Sequence, residues 1–137
     1  MRLFARITVA AAVVAMVFSA AAAQDPLRRQ DRQGPVTVAV TPTSPLAPET
    51  PLRFRIALDT HSVALDDVVL ERAVVLRTAD GKDLAPSAVE QPKGGGHHRE
   101  AVIVFPPVTE RGEVRVVVKN VGGVEERVFT WPLPTAR

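Results

Sequence analysis

Cysteine and tyrosine are both missing from the 137 residues, and the only aromatics are one tryptophan and five phenylalanines. Without cysteine the chain forms no disulfide, offers no thiolate nucleophile and carries no lipid on a cysteine after processing. Stability must come from packing or from a bound ion. So few aromatics make a poor stacking platform for sugars or bases. An excess of one charge is missing too. The 17 Lys and Arg include Arg2 and Arg6 of the leader, and without these two the basic residues balance the 15 Asp and Glu. That balance argues against a nucleic-acid partner. Several motifs are also lacking. The chain has no Gly-x-Ser-x-Gly and no His-Glu-x-x-His. The glycines of "GGGHHRE" lack the Lys-Ser/Thr ending and the following helix of a phosphate loop. No stretch holds a helical period over three turns.

The N-terminus reads as an export leader. Arg2 and Arg6 precede an apolar run from Ile7 to Ala23 that ends in small residues. This pattern marks a secretory signal peptide at 1–23, cut before Gln24. The run is short for a membrane span. Contact with a membrane is therefore expected only through that leader before cleavage, and the destination is the periplasm or beyond. Residues 24–34 are polar and unperiodic and read as a flexible leader. Residues 35–137 form one domain, large enough for a core but with little margin.

Within that domain the signals are those of short strands. "VTVAVT" (Val36–Thr41) is followed by a link containing Pro42, Pro45, Pro48 and Pro51, which forbids a helix. Leu52, Phe54, Ile56 and Leu58 alternate with Arg53 and Arg55, so one face of this strand is buried and the other wet. Val68–Arg72 fits a short strand or a helical turn, and Ala73–Thr78 a strand. Asp80-Gly81 signals a hairpin. Leu84–Gln91 reads as an irregular strand, with Pro86 suggesting an edge or a break. Glu100–Phe105, the run placing Val114, Val116 and Val118 inward with Arg115, Val117 and Lys119 outward, and Val124–Trp131 complete the set. Trp131 is expected in the core or at its rim. About seven short strands separated by Pro and Gly indicate two packed sheets.

The segments "LDTHS" (Leu58–Ser62) and "GGGHHR" (Gly94–Arg99) resemble a group of small exported bacterial domains with an immunoglobulin-like sandwich. These domains carry Leu-Asp-Thr-His-Ser and Gly-His-His-Arg segments. The resemblance implies an all-β, immunoglobulin-like two-sheet sandwich of about seven antiparallel strands and an exported location, and it implies no activity. "VTVAVTP" is similar to the opening of periplasmic copper-handling sandwiches. The N-terminal histidine of such copper sites has no counterpart, since the expected mature residue is Gln24.

The three histidines carry the sharpest chemical expectation. His61 follows a strand and lies between Asp59 and Asp66. His97 and His98 precede another strand. Sandwich loops cluster at the two ends, so both hinges are expected at one end. There His61, His97, His98, Asp59 and Asp66 have the donor types for copper or zinc. Adjacent strand residues point to opposite faces, so His97 and His98 chelate together only if Gly94, Gly95 and Gly96 let the backbone bend. The competing reading is structural. Asp59 satisfies nearby turn groups, and Arg99 pins the loops by pairing with Asp59 or Asp66. Calcium on Asp59, Asp66 and Asp67 matches no known loop spacing. Ser62 next to His61 has poor geometry for a nucleophile and its base.

Two functions follow. The first is a non-catalytic secreted interaction or structural module of the cell envelope, with another envelope protein as partner and no cofactor. The alternative is a periplasmic copper- or zinc-binding protein built on the histidine and aspartate loops.

Overall fold

The computed structural model describes residues 25–109 and 111–134, so the signal peptide assigned to 1–23 lies outside the described residues. The chain runs β1 (Arg29–Asp31), β2 (Val36–Pro42), β3 (Leu52–Thr60), α1 (Leu70–Ala73), β4 (Val74–Arg77), β5 (Asp83–Leu84), β6 (Ala88–Gly95), β7 (His98–Phe105), β8 (Gly112–Val121) and β9 (Val124–Leu133). Two antiparallel sheets result, β1-β2-β3-β7-β6 and β5-β4-β8-β9. With β2 as strand A, the orders are A-B-E-D and C′-C-F-G, the arrangement of an immunoglobulin-like sandwich. The described residues hold nine strands rather than about seven, because the two short ones, β1 and β5, give little sequence signal.

Alternation builds the core. Leu52, Phe54, Ile56 and Leu58 of β3 face Val114, Val116 and Val118 of β8 across the interior, and all are buried. Each contributes roughly 1.5–3 kcal/mol of burial. In this fold a disulfide commonly links strands B and F, which are β3 and β8 here. The aromatics fill that region instead: the Phe54 ring lies 5.1 Å from Trp131 and 6.2 Å from Phe105.

Val117 lies on the face opposite Val114, Val116 and Val118, as expected, yet it is 0% exposed. It stands in an outer-face row with Val75 and Val128. Arg77 of β4 pairs with Glu126 of β9 at 2.9 Å, so their ion pair crosses β8 diagonally above Val117. Asp83 joins this network through Arg77 at 2.7 Å and Lys119 at 2.6 Å. Hydrogen bonds from Arg77 and Lys119 hold its carboxyl well below the usual carboxylate range. The ambiguous Val68–Arg72 stretch resolves into the single helical turn α1, closed by the Ala73 amide on the Val69 carbonyl at 2.9 Å.

Within the stretch read as a flexible leader, Arg29–Asp31 forms β1 and pairs with Val38–Val40. Its anchors come from the far end of the chain. The Trp131 indole N–H donates to the Leu27 carbonyl at 2.7 Å, and the Arg29 guanidinium lies 5.8 Å from the Trp131 ring centre. Arg127 is 1% exposed. It donates to Asp31 Oδ1 and to the Val36 carbonyl at 2.9 Å each, and to the Val121 carbonyl at 3.0 Å.

Burial opposes ionisation of Asp31. Hydrogen bonds from Gln33 and the Arg127 charge outweigh it, and the carboxyl ionises below its ordinary 3.8. A lowered folded pKa gives stability that is present above 3.8 and lost as pH falls through the folded value. Arg127→Ala is expected to cost about 3–5 kcal/mol in urea unfolding, because it strips a buried charge pair and two carbonyls of their donor. Asp31→Asn is expected to cost about 1 kcal/mol at neutral pH. Its difference from the parent should shrink below pH 3.8.

Candidate functional site

The glycine stretch does not form an open loop. β6 and β7 are joined by a two-residue turn, Gly96-His97, closed by the Gly95–His98 pair. Gly96 has φ +61°, the positive value that the first central position of a tight hairpin turn demands. Gly94 has φ +86°, and a Cβ there would collide with the His98 carbonyl. Both glycines are therefore required by the backbone path. Before the turn, β6 carries a register shift between Glu90 and Lys93, with Gln91 at φ +50°.

The two polar hinges meet, because β3 and β7 are neighbours and Asp59 pairs with His98 across them. Backbone and side-chain bonds staple the hinges together. The Thr60 amide donates to the His97 carbonyl at 3.0 Å, and the Leu65 amide to the Gly96 carbonyl at 2.8 Å. The Gly96 amide donates to Asp66 Oδ1 at 3.0 Å. Thr60 Oγ1 donates to the Pro35 carbonyl at 2.8 Å and accepts from the Ser62 amide at 3.3 Å. Arg99 does pin the loop, but through carbonyls: it donates to Leu65 O at 3.1 Å and to Val68 O. The expected pairing with Asp59 or Asp66 is replaced because Arg99 projects towards the interior, opposite Leu58, beneath the 65–68 segment.

The histidines separate. His98 lies on the outer face of the sheet with Nδ1 2.5 Å from Asp59 Oδ1 and Nε2 3.4 Å from Glu100 Oε2. Glu100 also pairs with Arg55 and Lys93 at 3.2 Å each. His97 is exposed at the turn. His61 is exposed, and its ring makes no hydrogen bond among the described residues. Asp66 serves the Gly96 amide, while Asp67 borders a separate cleft. Among the described residues, no group of three or more His, Cys, Asp or Glu side chains is arranged to hold a metal ion. What the hinge does assemble is an imidazole between two carboxylates. The Asp59 hydrogen bond raises the His98 pKa above 6.5, against burial and with help from Glu100.

The 63–69 segment that Arg99 holds is also one wall of a cleft of about 540 Å³. The opposite wall is the β8–β9 turn, where Asn120, Gly122 and Gly123 all have positive φ. Gly122 is required there, since a Cβ would press into the Val36 side chain. The cleft floor is apolar, with Val36, Leu65 and Val68, while Arg72 and Lys119 lie at its margin. Val69 is 45% exposed beside it. Lys119 is paired with Asp83, whereas the Arg72 side chain makes no ion pair among the described residues. Sequence reasoning missed this cleft; its one signal was the Val121-Gly122-Gly123 turn.

Comparison of the chain with family models, with curated proteins and with solved structures finds no match in any of the three. Among the described residues, no helix is long and apolar enough to cross a membrane.

The His98 pair has a pH signature. A raised folded pKa gives stability that is complete below 6.5 and lost as pH rises through the folded value. With the His98 side chain 48% exposed, the effect is expected to stay below about 1 kcal/mol. The His98 ring should titrate above 6.5 by NMR, and Asp59→Asn should move its midpoint down.

Proposed function

We propose that the chain is a non-catalytic interaction or structural module of the cell envelope, exported behind its signal peptide. The observation that carries this reading is the cleft beside α1. Concave sites with apolar walls and a few polar groups are the usual places for recognition. Here the apolar floor, exposed Val69 and Arg72, whose side chain makes no ion pair among the described residues, lie together. That combination suits an apolar side chain of another envelope protein with an acidic neighbour to meet the guanidinium. The hinge supports the same reading. Thr60, Asp66 and Arg99 hold the loops together, which keeps the cleft wall in place.

A second reading, a periplasmic copper- or zinc-binding protein, is favoured by one observation. His98 already lies between Asp59 and Glu100, with His97 in the adjoining turn and His61 just beyond the end of β3.

A photo-crosslinker at Val69 of the exported chain should capture one envelope protein, and Arg72→Glu should abolish that capture while leaving the circular dichroism unchanged. Titration of the metal-free protein with zinc or copper(II) should show no stoichiometric site of sub-micromolar affinity. Such a site, lost in His61→Ala or His97→Ala, would move the assignment to the second reading.

A further inference from the structure

Each sheet leaves two strands unpaired on one side, and three of these four edges are blunted. β1 has three residues and β5 two. β6 is broken by its register shift and contains Pro92. The fourth, β9, keeps one continuous register with β8 from Arg127 to Leu133 and, among the described residues, has no other neighbour in its sheet. A long open edge is a ready template for another strand.

Pro132 shows which backbone groups face outward. It stands in the ladder opposite Glu113 yet has no N–H to give, so its nitrogen faces the open side. Antiparallel residues alternate between bonding their neighbour and facing away from it. Glu126, Val128 and Thr130 therefore turn their N–H and C=O groups to the open edge. Among the described residues, no backbone bond from outside the β8–β9 ladder reaches any of the three.

Side chains select the occupant. Val128 is 50% exposed and ends the outer-face row Val75–Val117–Val128. We propose that a second copy of this chain pairs here, β9 antiparallel to β9, about a two-fold axis at Val128. In that register Val128 meets Val128 and Glu126 meets Thr130, with about six backbone hydrogen bonds formed. The valine row then continues into the second copy, giving the cross-strand aliphatic contacts that stabilise sheets. Centring on Glu126 sets carboxylate against carboxylate. Centring on Phe129 or Thr130 wastes a bonding position on Pro132. The register at Val128 avoids the carboxylate clash and sets Pro132 only against Val124, where the β8–β9 hairpin closes, and two-fold closure uses up the long edge. The pairing uses the β9 backbone rather than the cleft beside α1, so its failure leaves the cleft reading untouched.

Sedimentation of the processed chain over a concentration series tests it. The expected result is a reversible dimer. Val128→Pro should be monomeric, with the urea midpoint of the parent at concentrations where the parent has dissociated, because the lost N–H points away from β8. Val128→Lys should also be monomeric, providing a second variant if proline perturbs folding. The amides of residue 128 and Thr130 should exchange slowly in the dimer and at least tenfold faster in the Val128→Lys monomer. A parent chain monomeric throughout the series overturns the proposal. So does a dimer that survives Val128→Lys, or an edge occupied only by a strand of a different protein.

Discussion

The buried guanidinium of Arg127 is the constraint on which the sandwich depends. One side chain on the last strand supplies donors to Asp31 on the first strand, to the Val36 carbonyl at the start of the second and to the Val121 carbonyl at the final hairpin. A charge buried without partners costs far more than it returns, so these acceptors must be in place for the core to close. They in turn draw in β1, set Leu27 against the Trp131 indole and hold the β8–β9 turn that walls the cleft. Gly122 fits the same constraint, since its missing Cβ leaves room for both Val36 and the Arg127 guanidinium.

What could be seen in the sequence follows from what is local. The Leu52–Leu58 alternation, the Asp80-Gly81 hairpin and the Val114–Val118 face each state their structure within a few residues, and each formed as expected. β1 was not legible because "RQD" has no pattern of its own. Its pairing depends on Arg127, 96 residues away. The burial of Val117 on the outer face was not legible for a similar reason: its cover is an ion pair between residues 49 apart in sequence. Val68–Arg72 was ambiguous because four residues of helix carry no period.

The hinge was legible in outline and not in detail. That the two polar loops share one end followed from strand polarity, and the staples between Thr60, Leu65, Asp66 and the Gly96-His97 turn bear this out. The individual roles were hidden because they depend on which face each side chain takes. The Gly96-His97 turn sends His98 to the outer face beside Asp59, while Arg99 turns inward to the carbonyls of Leu65 and Val68. Of the expected donor set, Asp66 is committed to holding segment 63–69 against the hairpin, and Asp59 and His98 are committed to each other. The same restraint gives the neighbouring cleft a firm wall, so the recognition role proposed for that cleft would rest on the hinge.

The latch between the two ends also has a temporal side. A chain made from its N-terminus presents Leu27 and Asp31 early, but Arg127 and Trp131 come last. Contacts so distant in sequence slow folding, because the intervening chain must be ordered before they form. Until the final strand emerges, the first one has only its pairing with β2 to hold it. The polypeptide thus stays pliant through most of its synthesis and becomes rigid only on completion, the order of events that the proposed export would require.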